Sequence, residues 1–138
     1  MNQIQLIMPQ LIYSKIIEHC RDSLPNESCG LLTGNDNHVN RFWPLDNELK
    51  STKLYFVSKR SLEKVLTKIN QTGEQVLAIY HTHPTTAPVP SYYDLQNHPD
   101  ETVQMMIISF KTEPPKSKIY TIKNRLHSEG LIILKFKK

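Results

Sequence analysis

Cysteine is scarce in this sequence, with only Cys20 and Cys29 among 138 residues. The two could pair with each other, but a disulfide-rich scaffold is excluded, and we expect a reduced, cytoplasmic setting. No apolar run approaches the roughly 20 residues that a membrane-spanning helix needs. The N-terminal residues also lack a basic segment followed by an apolar one, so neither a secretory signal nor a membrane location is expected.

Long runs of one charge are absent as well. Lys and Arg number 17 against 13 Asp and Glu, which gives a formal net charge of +4. Basic residues are not interleaved with aromatic residues in the interior, so this charge does not favour nucleic acid as a partner. The length, with 38% hydrophobic and 22% charged residues, predicts a single domain spanning residues 1–138.

The hydrophobic pattern predicts a mixed α/β (α+β) domain with about three helices. The first helix is expected from Pro9 to the break at Pro25, the second between an N-cap at Ser58 and Gly73, and a short third after Ser91. Apolar and alternating runs predict strands at residues 3–8, 28–34, 39–45, 54–57, 76–81, 103–110, 119–122 and 131–136.

Two histidines stand two residues apart in the segment Tyr80-His81-Thr82-His83-Pro84. Side chains alternate between the faces of a strand, so both imidazoles should leave the same face. Ser91-Tyr92-Tyr93-Asp94 follows after six residues, and Asp94 could supply a carboxylate as a third ligand. Two histidines and one aspartate leave a fourth tetrahedral position for water, which is typical of a catalytic zinc site.

A catalytic zinc site needs a base, and Glu27 is the candidate. It stands before an apolar strand, in Glu27-Ser28-Cys29-Gly30-Leu31-Leu32-Thr33-Gly34. A carboxylate is unusual at such a position unless it serves a site.

These residues resemble the MPN/JAMM metalloprotease family. Glu27 followed by Cys29-Gly30-Leu31-Leu32 and Gly34, with His81-x-His83-Pro84 and Ser91-x-x-Asp94, matches its motif. The resemblance implies a curved mixed β-sheet flanked by helices, a cytidine-deaminase-like architecture. The family's eukaryotic members include deubiquitinating isopeptidases, and its short bacterial members are peptidases linked to ubiquitin-like sulfur-carrier proteins.

The resemblance also implies a role for each motif residue. His81, His83 and Asp94 would bind Zn²⁺. Glu27 would take a proton from the zinc-bound water and pass it to the leaving amine, and Ser91 would donate a hydrogen bond to the oxyanion. The substrate would be a peptide or isopeptide bond at the C-terminal Gly-Gly tail of a sulfur carrier, added as a strand beside the zinc.

Simpler interpretations stay open for several residues. Ser91 is also a good helix N-cap with Asp94 at the third helical position, and the two roles are compatible. Cys29 could be a zinc ligand or a nucleophile, but a small buried hydrophobe is favoured. His98 is interpreted as a loop histidine. Core packing explains Trp43 at least as well as a substrate groove, and Tyr92 or Tyr93 could lie near the substrate.

Two functions from different classes remain. The first is the zinc metallopeptidase, and the alternative is a catalytically inactive MPN-fold scaffold or interaction module. The intact set of Glu27, His81, His83, Ser91 and Asp94 favours the enzyme. The sequence leaves open the identity of the substrate, the nature of the leaving group and whether the chain forms a homodimer.

Overall fold

Three helices interrupt a series of strands along residues 3–136, the part of the chain that the computed structural model describes. The eight strands in this part are β1 (Gln5–Pro9), β2 (Cys29–Asn35), β3 (His38–Leu45), β4 (Gln75–His83), β5 (Gln104–Ser109), β6 (Lys116–Lys123), β7 (Leu126–Glu129) and β8 (Leu131–Lys135). The three helices are α1 (Gln10–Ser23), α2 (Lys59–Asn70) and α3 (Tyr92–Asn97).

All these strands belong to one mixed sheet in the order β7-β6-β5-β4-β2-β3-β1-β8. β1 is parallel to both β3 and β8, and β4 is parallel to β5, while the other neighbours are antiparallel. Parallel neighbours need a crossover connection. The chain therefore leaves β4 at His83, passes through α3, and re-enters the sheet beside β4 as β5.

The sheet curves until its two outer strands meet at Gly130, the single residue between β7 and β8. The Gly130 N–H donates to the Ile119 carbonyl of β6, and the Leu131 N–H donates to the Ile4 carbonyl, each at 2.8 Å. A Cβ atom at position 130 would overlap with the Ile4 carbonyl oxygen. Only glycine allows this close approach, which makes the sheet nearly a barrel.

Helix α1 and α3 lie on opposite faces of the sheet. The α1 face holds the larger core, in which Ile16 and Cys20 of the helix pack with buried strand residues. These strand residues include Leu6, Met8, Leu32, Tyr80, Met106 and Ile108. On the other face, Leu95 of α3 packs on Met105, Ile107, Tyr120 and Ile122. His81 pairs with Ile107 in the ladder, so its side chain belongs to the α3 face.

Most predicted elements are confirmed, but one predicted strand is absent, one strand was missed, and α2 has Gln71 rather than Gly73 as its C-cap. Residues 54–57, expected as a strand, lie in an irregular loop instead. Their backbone groups bond within the loop, as when Phe56 donates to Asn47 Oδ1 at 3.1 Å. The strand β7 was missed because it is only four residues long, mostly polar and exposed throughout.

Two further expectations concerned the start of α1 and membrane-spanning helices. Pro9 is the N-cap of α1 rather than its first residue. No helix within residues 3–136 has the length and apolar character required to cross a membrane.

Candidate metal and active site

His81 and His83 lie at the C-terminal end of β4 and project from the same face of the sheet. Both are buried, with 0% and 5% of their surface exposed. The His83 Nδ1 atom lies 2.9 Å from the Ala87 carbonyl oxygen. Because a carbonyl can only accept, Nδ1 carries the proton, and Nε2 of the neutral ring carries the lone pair. The strand and the following loop thus orient this ring for ligation through Nε2.

Asp94 is held by the first turn of α3. The Ser91 hydroxyl accepts from the Asp94 N–H at 3.0 Å, and the Asp94 Oδ2 accepts from the Ser91 N–H at 2.9 Å. This is a capping box, as the sequence predicted for Ser91. It fixes the carboxylate against the two histidines. Burial alone would raise the pKa of Asp94, but hydrogen bonds with His81 and His83 hold that pKa below its usual range.

Three potential ligand atoms form a nearly equilateral triangle. The His81 and His83 Nε2 atoms are 3.2 Å apart, and the Asp94 Oδ2 lies 3.1 Å from the first and 3.0 Å from the second. Zinc with ligands at about 2.05 Å in tetrahedral geometry gives ligand separations of about 3.3 Å. Since His83 Nε2 and the carboxylate oxygen are both acceptors, a proton or a cation must lie between them. The donor set and its spacing fit a small divalent metal ion.

The pKa of His83 is raised by its contact with this carboxylate. Burial lowers the pKa of His83, but the hydrogen bonds with Asp94 and the Ala87 carbonyl outweigh it and raise that pKa overall. A metal ion at the triangle would take the place of the proton that Asp94 favours here.

Glu27 lies on the same face as the histidines, just before β2. Cys29 pairs with His81, and the Thr82 N–H donates to the Ser28 carbonyl at 3.0 Å, so the register brings Glu27 opposite His83. Only 4% of Glu27 is exposed, and its Oε1 atom has no hydrogen-bond partner. Burial raises the pKa of Glu27 to about 8, the nearby His83 lowers it somewhat, and Asp94 raises it.

Residues 9–123, which include all five motif residues, resemble a known protein family. They match the family model described as prokaryotic homologs of the JAB domain. The chain belongs to this family. The resemblance to MPN/JAMM proteins drawn from the motif is thereby confirmed.

Relatives and solved structures agree with this assignment. The chain is 29% identical over 128 residues to a Pyrococcus furiosus protein named desampylase, covering 93% of this chain and 90% of that protein. A Mycobacterium tuberculosis protein named CysO-cysteine peptidase is 24% identical over 106 residues, covering 75% and 73%. The solution structure of a Desulfitobacterium hafniense protein superposes with a TM-score of 0.86 at 29% identity, covering 96% and 94%.

Other candidate residues take simpler positions in this JAB-family structure. Cys29 is fully buried, and its thiol contacts the Leu45 carbonyl at 3.8 Å. Burial, reinforced by the charge of Glu27, raises the pKa of the Cys29 thiol to about 12, so it behaves as the small buried hydrophobe that was favoured. Cys20 and Cys29 are both free. His98 contacts the Val103 carbonyl at 2.6 Å, as befits a loop histidine.

The aromatic candidates Trp43, Tyr92 and Tyr93 differ in their exposure and contacts. Trp43 is half-buried, and its indole N–H donates to Thr33 Oγ1 at 2.8 Å. Tyr92 is 79% exposed at the start of α3. The Tyr93 hydroxyl donates to the Tyr55 carbonyl at 3.4 Å, which ties α3 to the loop of residues 46–58.

Sequence reasoning missed Tyr55. Its ring stacks on the His81 ring, with centroids 5.0 Å apart and an angle of 27° between the planes. The Leu54 to Val57 run signalled an apolar segment but not that its tyrosine would reach the site. That contact is made across the fold, between residues 26 positions apart, and no local pattern specifies it.

Proposed function

We propose that this chain is a zinc-dependent peptidase that hydrolyses a peptide or isopeptide bond at the C-terminal tail of a ubiquitin-like protein. The observation that carries the proposal is the triangle of His81, His83 and Asp94, with the buried carboxyl of Glu27 on the same face. A structural role alone gives no reason to bury an unpartnered carboxyl beside such a group.

In this proposal His81, His83 and Asp94 hold the metal. When bound, zinc supplies Lewis acidity and can lower the pKa of a coordinated water to about 7. The Ala87 carbonyl holds the His83 ring through Nδ1, which leaves the Nε2 lone pair free for the metal. The Ser91 N–H of the capping box holds the Asp94 carboxylate. Both ligands are therefore oriented by contacts that do not require the metal.

Glu27 acts as the general base and acid. Its carboxyl group takes a proton from the attacking water and passes it to the leaving amine. A pKa near neutrality suits both directions of transfer, and burial is what moves the pKa of this group towards that range. The unpartnered Oε1 leaves the group free to make that exchange.

Ser91 donates to the developing oxyanion. Its hydroxyl oxygen accepts from the Asp94 N–H, so the hydroxyl proton is available to another acceptor. The capping role and the oxyanion role are therefore compatible in one side-chain position. A donor aimed at an oxyanion contributes about 3 kcal/mol to catalysis.

The shape of the site supports a narrow, extended substrate segment. The three ligand residues are at most 6% exposed, which favours a substrate segment without bulky side chains. A Gly-Gly tail is such a segment. Exposed apolar side chains occur on the two segments that adjoin the site: Leu49, Leu54, Phe56, Val89 and Tyr92. The names of the relatives point the same way, and a sulfur-carrier protein is our proposed substrate.

Two fusion substrates would test the proposal. Each carries a ubiquitin-like sulfur carrier whose Gly-Gly terminus is joined either to a cysteine by a peptide bond or to a lysine side chain by an isopeptide bond. We expect the zinc-loaded chain to release the carrier from at least one substrate. Glu27→Gln and His83→Ala should lower the rate by at least 100-fold, whereas the exposed control His38→Ala should not.

The outcome also separates the enzyme from the scaffold. Full activity in Glu27→Gln would show that the assigned base is wrong. A chain that binds no zinc and cleaves neither fusion would favour the non-catalytic scaffold instead.

A further inference from the structure

Asn47 makes four hydrogen bonds with its side chain within the loop of residues 46–58 and to the segment before β2. Its Nδ2 group donates to the Glu27 carbonyl at 3.1 Å and to the Leu54 carbonyl at 2.9 Å. Its Oδ1 accepts from the N–H groups of Leu49 and Phe56, each at 3.1 Å. A side-chain amide has two N–H donors and two acceptor positions, so the capacity of Asn47 is used in full.

One of these contacts concerns the placement of Glu27. This residue precedes β2, which begins at Cys29, so the strand ladder does not hold it. Its N–H donates to the Ser51 carbonyl at 2.8 Å, and its carbonyl accepts from Asn47. Because the carboxyl Oε1 has no partner, the position of the Glu27 side chain depends on how firmly this backbone is held.

Two further contacts concern Tyr55. Leu54 and Phe56 stand on either side of it, and Asn47 bonds the carbonyl of the first and the N–H of the second. Tyr55 is the residue whose ring stacks on His81. One side chain therefore fixes the backbone of the candidate base and the backbone that carries the ring covering a candidate ligand.

We propose that Asn47 is a positioning residue that holds Glu27 and Tyr55 in register with His81. The inference rests on the proposed function, because Asn47 would affect catalysis by positioning Glu27 for its proton transfer. None of the four Asn47 hydrogen bonds is made to the side chains of His81, His83 or Asp94. A displacement of about 1 Å at a catalytic group can cost on the order of 100-fold in rate.

Amide hydrogen exchange tests the contact without any substrate. In Asn47→Ala, the amides of Leu49 and Phe56 lose their acceptor, and the amide of Glu27, which donates to Ser51, lies in a segment whose carbonyl has lost its donor. All three should exchange at least tenfold faster, while the amides of β5 keep their wild-type rates. Asn47→Asp is a second variant in case the first folds poorly. It retains both acceptor positions but donates to neither carbonyl, so the amide of Glu27 should still lose protection. Asn40→Ala, on β3, is the matched control.

Kinetics then test the positioning role. Asn47→Ala should lower kcat at least tenfold, with KM within threefold and zinc content unchanged. The double variant Asn47→Ala/Glu27→Gln should be no slower than Glu27→Gln alone, because Asn47 acts through Glu27. A residue that only stabilises the loop would lower the unfolding midpoint and leave kcat per folded molecule intact.

Unchanged exchange at Glu27 would overturn the inference, as would a double variant whose loss is the full product of the two single losses. If the wild-type chain cleaves no fusion at all, the proposed function fails. Exchange at the Glu27 amide still decides in that case whether Asn47 holds this residue.

Discussion

Burial of Glu27 has a cost to stability that can be measured in the metal-free protein. The pKa of this carboxyl is raised by burial from its ordinary value of 4.5 to about 8. Because the pKa of Glu27 is higher in the folded than in the unfolded state, the free energy of unfolding is not reduced by Glu27 below pH 4.5. It falls as the pH rises from 4.5 towards 8, since the unfolded chain then loses this proton more readily than the folded one. At pH 7 the loss is about 3 kcal/mol, at about 1.36 kcal/mol for each pKa unit.

Glu27→Gln should remove this loss, because its neutral amide resembles the protonated carboxyl. We expect the metal-free variant to be more stable than the wild type, by less than about 1 kcal/mol at pH 5 and by about 3 kcal/mol at pH 7. Urea unfolding of both proteins in a chelator, at several pH values, measures this difference.

Glu48→Gln is a control of opposite sign. The Ser58 N–H donates to Glu48 Oε2 and lowers the pKa of that carboxyl from its ordinary value of 4.5, so removing the charge should reduce stability by a nearly constant amount above about pH 5 and by less as the pH falls below 4.5. If the difference in the free energy of unfolding between Glu27→Gln and the wild type does not grow between pH 5 and pH 7, the claim that burial disfavours the charged form of Glu27 is refuted.

Other substitutions probe the elements that hold the site. Ser91→Ala removes the hydroxyl of the capping box but keeps the backbone N–H that donates to Asp94 Oδ2, so it should lower the free energy of unfolding by about 1 kcal/mol in urea titrations and leave the zinc affinity nearly unchanged; an unchanged free energy of unfolding would show that the hydroxyl does not cap α3. Gly30→Ala would drive a Cβ into the Tyr80 ring behind the histidines, at a cost of about 1–3 kcal/mol in the same titration, and a neutral result would mean that this ring moves freely. Tyr55→Ala should expose the His81 ring and raise the rate of its modification by diethyl pyrocarbonate in the metal-free protein, whereas an unaltered rate would contradict the stacked arrangement.

The parts of the site that sequence reasoning predicted depend on local rules. Alternation in a strand places His81 and His83 on one face, and the Ser91-x-x-Asp94 spacing is that of a capping box. These rules act within a few residues, so they can be applied without knowing the fold. The roles assigned to these residues, and the single domain over residues 1–138, stay predictions.

The missed features depend on contacts across the fold. Leu54 to Val57 has the apolar character of a strand, but the Asn47 side chain satisfies the backbone groups on either side of Tyr55 and holds the segment as a loop. The polar strand β7 forms because Asn124 and Arg125 adopt positive φ angles of 52° and 61°, which suits a tight hairpin turn between β6 and β7. This pair contains no glycine that would have signalled the turn.

The central claim is that His81, His83 and Asp94 hold a zinc ion. Elemental analysis of the purified, zinc-supplemented chain tests it most directly, beside His81→Ala and the exposed control His38→Ala. We predict about one zinc per chain in the wild type and in His38→Ala, and none in His81→Ala. A wild type without zinc, or a His81→Ala variant that retains it, would contradict the account.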